Sequence, residues 1–148
     1  MMKPARFALL AALVAVGVLM IGGVALAANI KGTPKADNLY GTEQADNINP
    51  FNGDDYVDAK GGDDYVHHSY GNDIIYGGSD DDTLRGGFGN DEIWGGPGRD
   101  LIDCAYLEER GDGANPEDYD IAHAKFGEDT VVDCEVTHYD DNSDDDNI

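Results

Sequence analysis

Between Gly32 and Asp103 the chain keeps a strict nine-residue period, and no other feature limits its fold so tightly. The last two units, "GGFGNDEIW" from Gly86 and "GGPGRDLID" from Gly95, show the phrase at its clearest. Six earlier units precede them without insertion or deletion: "GTPKADNLY" (Gly32), "GTEQADNIN" (Gly41), "PFNGDDYVD" (Pro50), "AKGGDDYVH" (Ala59), "HSYGNDIIY" (His68) and "GGSDDDTLR" (Gly77). Place six is always aspartate: Asp37, Asp46, Asp55, Asp64, Asp73, Asp82, Asp91 and Asp100. Place eight is always aliphatic: Leu39, Ile48, Val57, Val66, Ile75, Leu84, Ile93 and Ile102. An acidic low-complexity tract would account for the first column but not for the second.

A unit of this kind makes half a coil. Six loop residues lead into three extended ones, of which only the middle one points inward. Two units close one turn, so units n and n+2 stack about 4.8 Å apart in a parallel sheet. The aspartates of successive turns then stand above one another and repel. One inward aliphatic per nine residues is a thin core to set against that repulsion, so the pattern calls for a hard cation. Calcium takes six to eight oxygen ligands in flexible geometry, whereas magnesium demands a tighter octahedron and keeps its water.

The units "GGFGNDEIW" and "GGPGRDLID" resemble the RTX, or haemolysin-type, calcium-binding nonapeptide GGxGxDxUx, where U is aliphatic. The resemblance covers residues 32–103. It implies an all-β fold, a right-handed parallel β-roll with two nonapeptides per turn and Ca2+ between stacked loops. The eight aspartates at place six would be carboxylate ligands, Asp37 and Asp46 the weaker ones. Loop carbonyls would come from Gly53, Gly62, Gly71, Gly77, Gly78, Gly86, Gly87, Gly89, Gly95, Gly96 and Gly98. Lys35, Gln44 and Asp80 replace the place-four glycine in units one, two and six, and units three to five lack the opening glycine pair. Stacking allows up to six sites. Four are expected to fill, between units 3/5, 4/6, 5/7 and 6/8, while those using units 1 and 2 are expected to be weak or empty.

The flanks set the surroundings. Lys3 and Arg6 precede an uncharged run from Phe7 to Leu26, and "ALA" at Ala25–Ala27 fits a small-x-small cleavage site. Residues 1–27 read as a cleaved export signal, with an uncleaved membrane anchor as the rival reading. Either places the rest outside the cytoplasm, secreted or held at the cell surface. Cleavage leaves 7 positive against 31 negative side chains, a net charge of −24. That charge argues against nucleic acid as a partner and for cations. Cys104 and Cys134 suit one disulfide in an oxidising compartment, two free or intermolecular thiols being the alternative.

Residues 28–103 thus read as the roll and 104–139 as a C-terminal cap, pinned by Cys104 and Cys134 across the open end of the solenoid. Within the cap Gly127, Asp129 and Val131 recover places four, six and eight, and Tyr106–Arg110 suits at most a short helix. Residues 140–148 read as an acidic disordered tail.

Places seven and nine point outward. Tyr40, Tyr56, Ile74, Tyr76 and Trp94 fall on one sheet face, and the other sheet carries a more polar set. Such an aromatic face either meets an extracellular polysaccharide or a surface protein, or simply pairs across neighbouring coils. No G-x-S-x-G elbow and no H-E-x-x-H motif occurs. His67 and His68 straddle a coil junction and lack the further ligands of a transition-metal site, and His123 and His138 have no recognisable partner. The chain reads as non-catalytic.

Overall fold

The computed structural model describes residues 26–105, 119–125, 128–134 and 136–140. They form a parallel β-solenoid of about five turns, with no helix among the described residues. One sheet holds β1 (Asn29–Lys31), β3 (Asn47–Asn49), β5 (Tyr65–Val66), β8 (Thr83–Phe88), β10 (Leu101–Ala105) and β12 (Thr130–Val132), with β6 (Ser69–Tyr70) beside β8. The other runs β2 (Asn38–Tyr40), β4 (Tyr56–Gly61), β7 (Ile74–Ser79), β9 (Glu92–Trp94), β11 (Ile121–Lys125) and β13 (Val136–Asp140). Even units feed the first sheet and odd units the second, as the alternation requires.

Register within the repeats is 18 residues throughout, from Asn29↔Asn47 to Thr83↔Leu101. The place-eight column is the core. All eight of its members are 0–1% exposed, wedged between the two sheets. A single branched side chain per strand suffices because the next inward residue lies directly above it, one strand spacing away.

Two features of the core extend beyond the repeats. Ile30 is buried and pairs with Ile48, so a half-unit precedes Gly32. The same frame carried back one unit puts Ile30 at place eight, a signal hidden by the adjoining apolar run. The segment expected to form a cap over the far end continues both sheets as further coil. Ala122 pairs with Ile93 and Val131 with Ile102, each 29 residues on, so 11 extra residues are accommodated without loss of register. Asp129 and Val131 take the expected places; Gly127 and the short helix expected at Tyr106–Arg110 lie outside the described residues. Thr137, opposite Ala122, then puts a polar residue in the core column. Asp140, expected to open the acidic tail, instead closes β13 opposite Lys125. Residues 141–148 also lie outside the described residues.

Cys104 and Cys134 form a disulfide, with Cys104 fully buried in the core. It follows the β10–β12 pairing, stapling the last turns to the repeats. For a sequence separation of 30, loop-closure entropy assigns it about 3–4 kcal/mol. Replacing both cysteines by alanine should therefore lower the unfolding free energy by that amount in denaturant titration. Hydrogen exchange should accelerate first in β12 and β13 and leave β4, β7 and β8 protected.

Candidate metal centre

Each place-six aspartate is tied to the next turn. The N–H of Asp37 donates to Asp55 Oδ1 at 2.8 Å, Asp46 to Asp64 at 2.7 Å, Asp55 to Asp73 at 2.8 Å and Asp64 to Asp82 at 2.9 Å. Asp73 and Asp82 donate likewise to Asp91 and Asp100. The column then continues through Asp91 to Asp120 and Asp100 to Asp129. Asp120 was not singled out in the sequence, because the 11-residue insertion hides its phase.

The second carboxylate oxygen divides the units into two kinds. In Asp55, Asp64, Asp82 and Asp100, Oδ2 is buried with no hydrogen-bond partner. In Asp37, Asp46 and Asp73 the loop supplies a donor. Thr33 N–H and Oγ1 both donate to Asp37 Oδ2, Thr42 N–H to Asp46 Oδ2, and the Ser69 hydroxyl to Asp73 Oδ2. A hydroxyl residue at place two, legible as "GT" and "HS", thus marks the satisfied carboxylates. Asp37 and Asp46, the ligands expected to be weaker, are among these satisfied carboxylates, and so is Asp73.

Loop carbonyls lie between the same stacked turns. A Cβ on Gly71 would meet Gly53 O at 2.1 Å, on Gly89 Gly71 O at 2.2 Å, and on Gly98 Asp80 O at 2.0 Å. At place two, a Cβ on Gly78 would meet Lys60 O at 2.0 Å and one on Gly96 would meet Gly78 O at 2.2 Å. Glycine is required there by the close approach of one loop to the next. Positive φ is a separate demand at places two and four, which Phe51, Lys60 and Asp80 meet without being glycine. At place one glycine serves a third purpose: a Cβ on Gly77, Gly86 or Gly95 would come within 2.3–2.5 Å of the Oδ2 of its own unit's aspartate. Among the expected carbonyl ligands, Gly95 O accepts the Gly78 N–H and Gly86 O the Ser69 hydroxyl.

Among the described residues no three carboxylate or imidazole side chains converge. The available donors are therefore single buried carboxylates flanked by backbone carbonyls, an all-oxygen set of the kind calcium accepts. A cation at the bare Oδ2 atoms would remove the cost of burying an unpartnered charge.

A second column, at place five, was missed in the sequence. Asn72 N–H donates to Asp54 Oδ1, Asn90 N–H to Asn72 Oδ1, and Tyr119 N–H to Asn90 Oδ1. Asp81 and Arg99 do the same to Asp63 and Asp81. Its trace is the run of Asp or Asn at place five in units three to seven.

The aromatic face is a continuous ladder. Tyr40, Tyr56, Tyr76, Trp94, His123 and His138 follow one another at centroid separations of 4.5–6.0 Å. The ring planes of Tyr76, Trp94 and His123 are nearly parallel and stacked, at 9° and 3°. Their flat faces therefore cover each other, and chiefly their edges meet solvent. That arrangement suits cross-coil pairing better than a platform for sugar rings, which needs open faces. Ile74 lies on the same face, 39% exposed.

Burial pushes the carboxyls of Asp55, Asp64 and Asp82 up to about 7 and that of Asp100 up to about 6, against the pull of the backbone N–H each accepts. Unfolded aspartates titrate near pH 4. Between that value and about 7 the metal-free fold holds more protons than the unfolded chain. The stability these groups contribute is greatest below about pH 4 and declines as pH rises to about 7. In chelator, β signal in circular dichroism should be stronger at pH ~4.5 than at pH ~7.5. Calcium, which needs the carboxylates deprotonated, should reverse that order and release protons on binding at pH ~6.

Residues 31–66 and 69–102 match the RTX calcium-binding nonapeptide repeat, in four copies. Neither a curated protein nor a solved structure matches the chain. The stretch read as eight nine-residue units is thus an array of RTX calcium-binding repeats.

Proposed function

We propose that this RTX-repeat chain is a secreted, non-catalytic protein whose β-roll folds on Ca2+ outside the cell. The observation that carries this is the recurrence of a buried, unpartnered Oδ2 in Asp55, Asp64, Asp82 and Asp100. A fold that buries bare carboxylates at regular intervals needs a cation at those places. Of the four sites, those between units 3/5, 4/6 and 6/8, which hold the bare Oδ2 atoms, fill first, and that between units 5/7, where Ser69 serves Asp73, fills after them. Asp37 and Asp46, already served by Thr33 and Thr42, contribute least. Affinities of extracellular modules, about 0.1–1 mM, let the calcium outside the cell order the roll while the lower level inside leaves it loose for export. The disulfide fits the same oxidising surroundings. With the ring faces of the aromatic ladder turned on each other, the leading role is that of an extracellular or surface structural component.

The test is far-UV circular dichroism of the protein during a calcium titration, with magnesium as control. A cooperative gain of β signal with calcium alone is expected. A complete β spectrum in chelator at neutral pH would overturn the calcium dependence. D82N should raise the calcium midpoint about tenfold, the worth of one charge-assisted ligand, whereas D37N should move it less than about twofold.

A further inference from the structure

The roll begins at one peptide bond. Leu26 and Ala27 are exposed, whereas Ala28 packs against the core, and its carbonyl accepts the Asn47 N–H at 2.9 Å. Ala28 occupies place six of the half-unit that carries Ile30. Its N–H donates to Asp46 Oδ1 at 2.5 Å, the first rung of the carboxylate column on that edge. Asp46 is only 3% exposed. Its other bonds come from Thr42, with the N–H on Oδ2 at 2.6 Å and Oγ1 on Oδ1 at 3.1 Å. All these donors are neutral, so the buried carboxylate has no cation among its hydrogen-bond partners. The bond at which the chain docks, Ala27–Ala28, is also the one that "ALA" at Ala25–Ala27 marks for cleavage.

We propose that hydrolysis of the Ala27–Ala28 bond installs the first cation of the roll. Water adds across the amide; Ala27 leaves with the new carboxylate, and Ala28 keeps the nitrogen as an α-ammonium. That ammonium donates to Asp46 Oδ1 from the position the amide N–H now holds. A neutral hydrogen bond becomes a charge-assisted one, about twice as strong. The chain thereby neutralises its own carboxylate in unit 2, one of the two units where the repeat is least suited to calcium. The reaction is that of an exported-protein endopeptidase acting after a small-x-small sequence, and the proposal rests on the export reading. Cleavage one residue earlier or later would move the charge about 3.5 Å along the chain and off Asp46.

Two measurements test it. The first is the N-terminal residue of protein exported from cells expressing the whole gene. Ala28 is expected; another first residue would overturn the proposal while leaving the calcium reading intact, and retention in the cytoplasm would overturn the export reading as well. The second compares melting in saturating calcium of residues 28–148 carrying a free or an acetylated α-amino group. This span contains every strand of both sheets. The acetylated form should melt roughly 3–6 °C lower, and D46N should abolish the difference. Equal melting temperatures, or a difference that persists in D46N, would overturn the pairing. Should D46N fail to fold, a glycine added before Ala28 serves instead. It displaces the ammonium and must reproduce the acetylated melting temperature, and melting like the free form would overturn the pairing.

Discussion

The fold rests on one hydrogen bond repeated at each turn: a place-six N–H given to the aspartate carboxylate one turn on. It fixes the stacking distance and the phase of the loops, and it draws each carboxylate out of water. Burial then makes the carboxyls of Asp55, Asp64, Asp73, Asp82 and Asp100 reluctant to ionise, and the loops differ in what they offer the second oxygen. Where a threonine or serine stands at place two, the loop is complete in itself. Where Phe51, Lys60, Gly78 or Gly96 stands there, Oδ2 is buried with no hydrogen-bond partner. The apolar column contributes little to this choice, because every unit has its buried aliphatic residue whichever kind of loop precedes it.

The place-five ladder works in the opposite sense. There the later turn supplies the N–H and the earlier one the side chain, so adjacent residues bind the turn above and the turn below. Each loop is held from both sides before any cation is considered. The aromatic ladder does the same on one outer face, so the roll is tied along its loop edges and along one sheet. The disulfide adds a covalent tie only at the end where the repeat has lapsed.

Much of this was legible in the sequence for a physical reason: a period of nine with two invariant columns leaves little freedom in where either column points. The parallel sheets, the inward aliphatic residues and the stacked aspartates come directly from it, and the even cysteine count pointed to the Cys104–Cys134 pair. The illegible parts lie where the period is masked. Ile30 stands in the short stretch between the apolar run and the first unit, and Asp120 stands beyond an insertion that erases its phase. Place five is filled by two residue types that look interchangeable with loop filler until their side chains are seen accepting N–H groups. The roles of glycine merge into one in the sequence, since letters do not distinguish a left-handed backbone from room for a neighbour's carbonyl or for the unit's own carboxylate.

Because register advances by two units per turn, the array has a parity. An added pair of units would lengthen the roll by one turn and leave every stacked column intact. A single added unit would send everything after it to the opposite sheet and the opposite edge. Trp94 would then part from Tyr76, and Asp91 would stand over the wrong carboxylate. The 11 extra residues between β10 and β11 preserve parity, because β11 resumes on β9 and β12 on β10 with the core column in step. A solenoid of this design therefore changes length in steps of 18 residues and tolerates an insertion only where the chain resumes on the same rung.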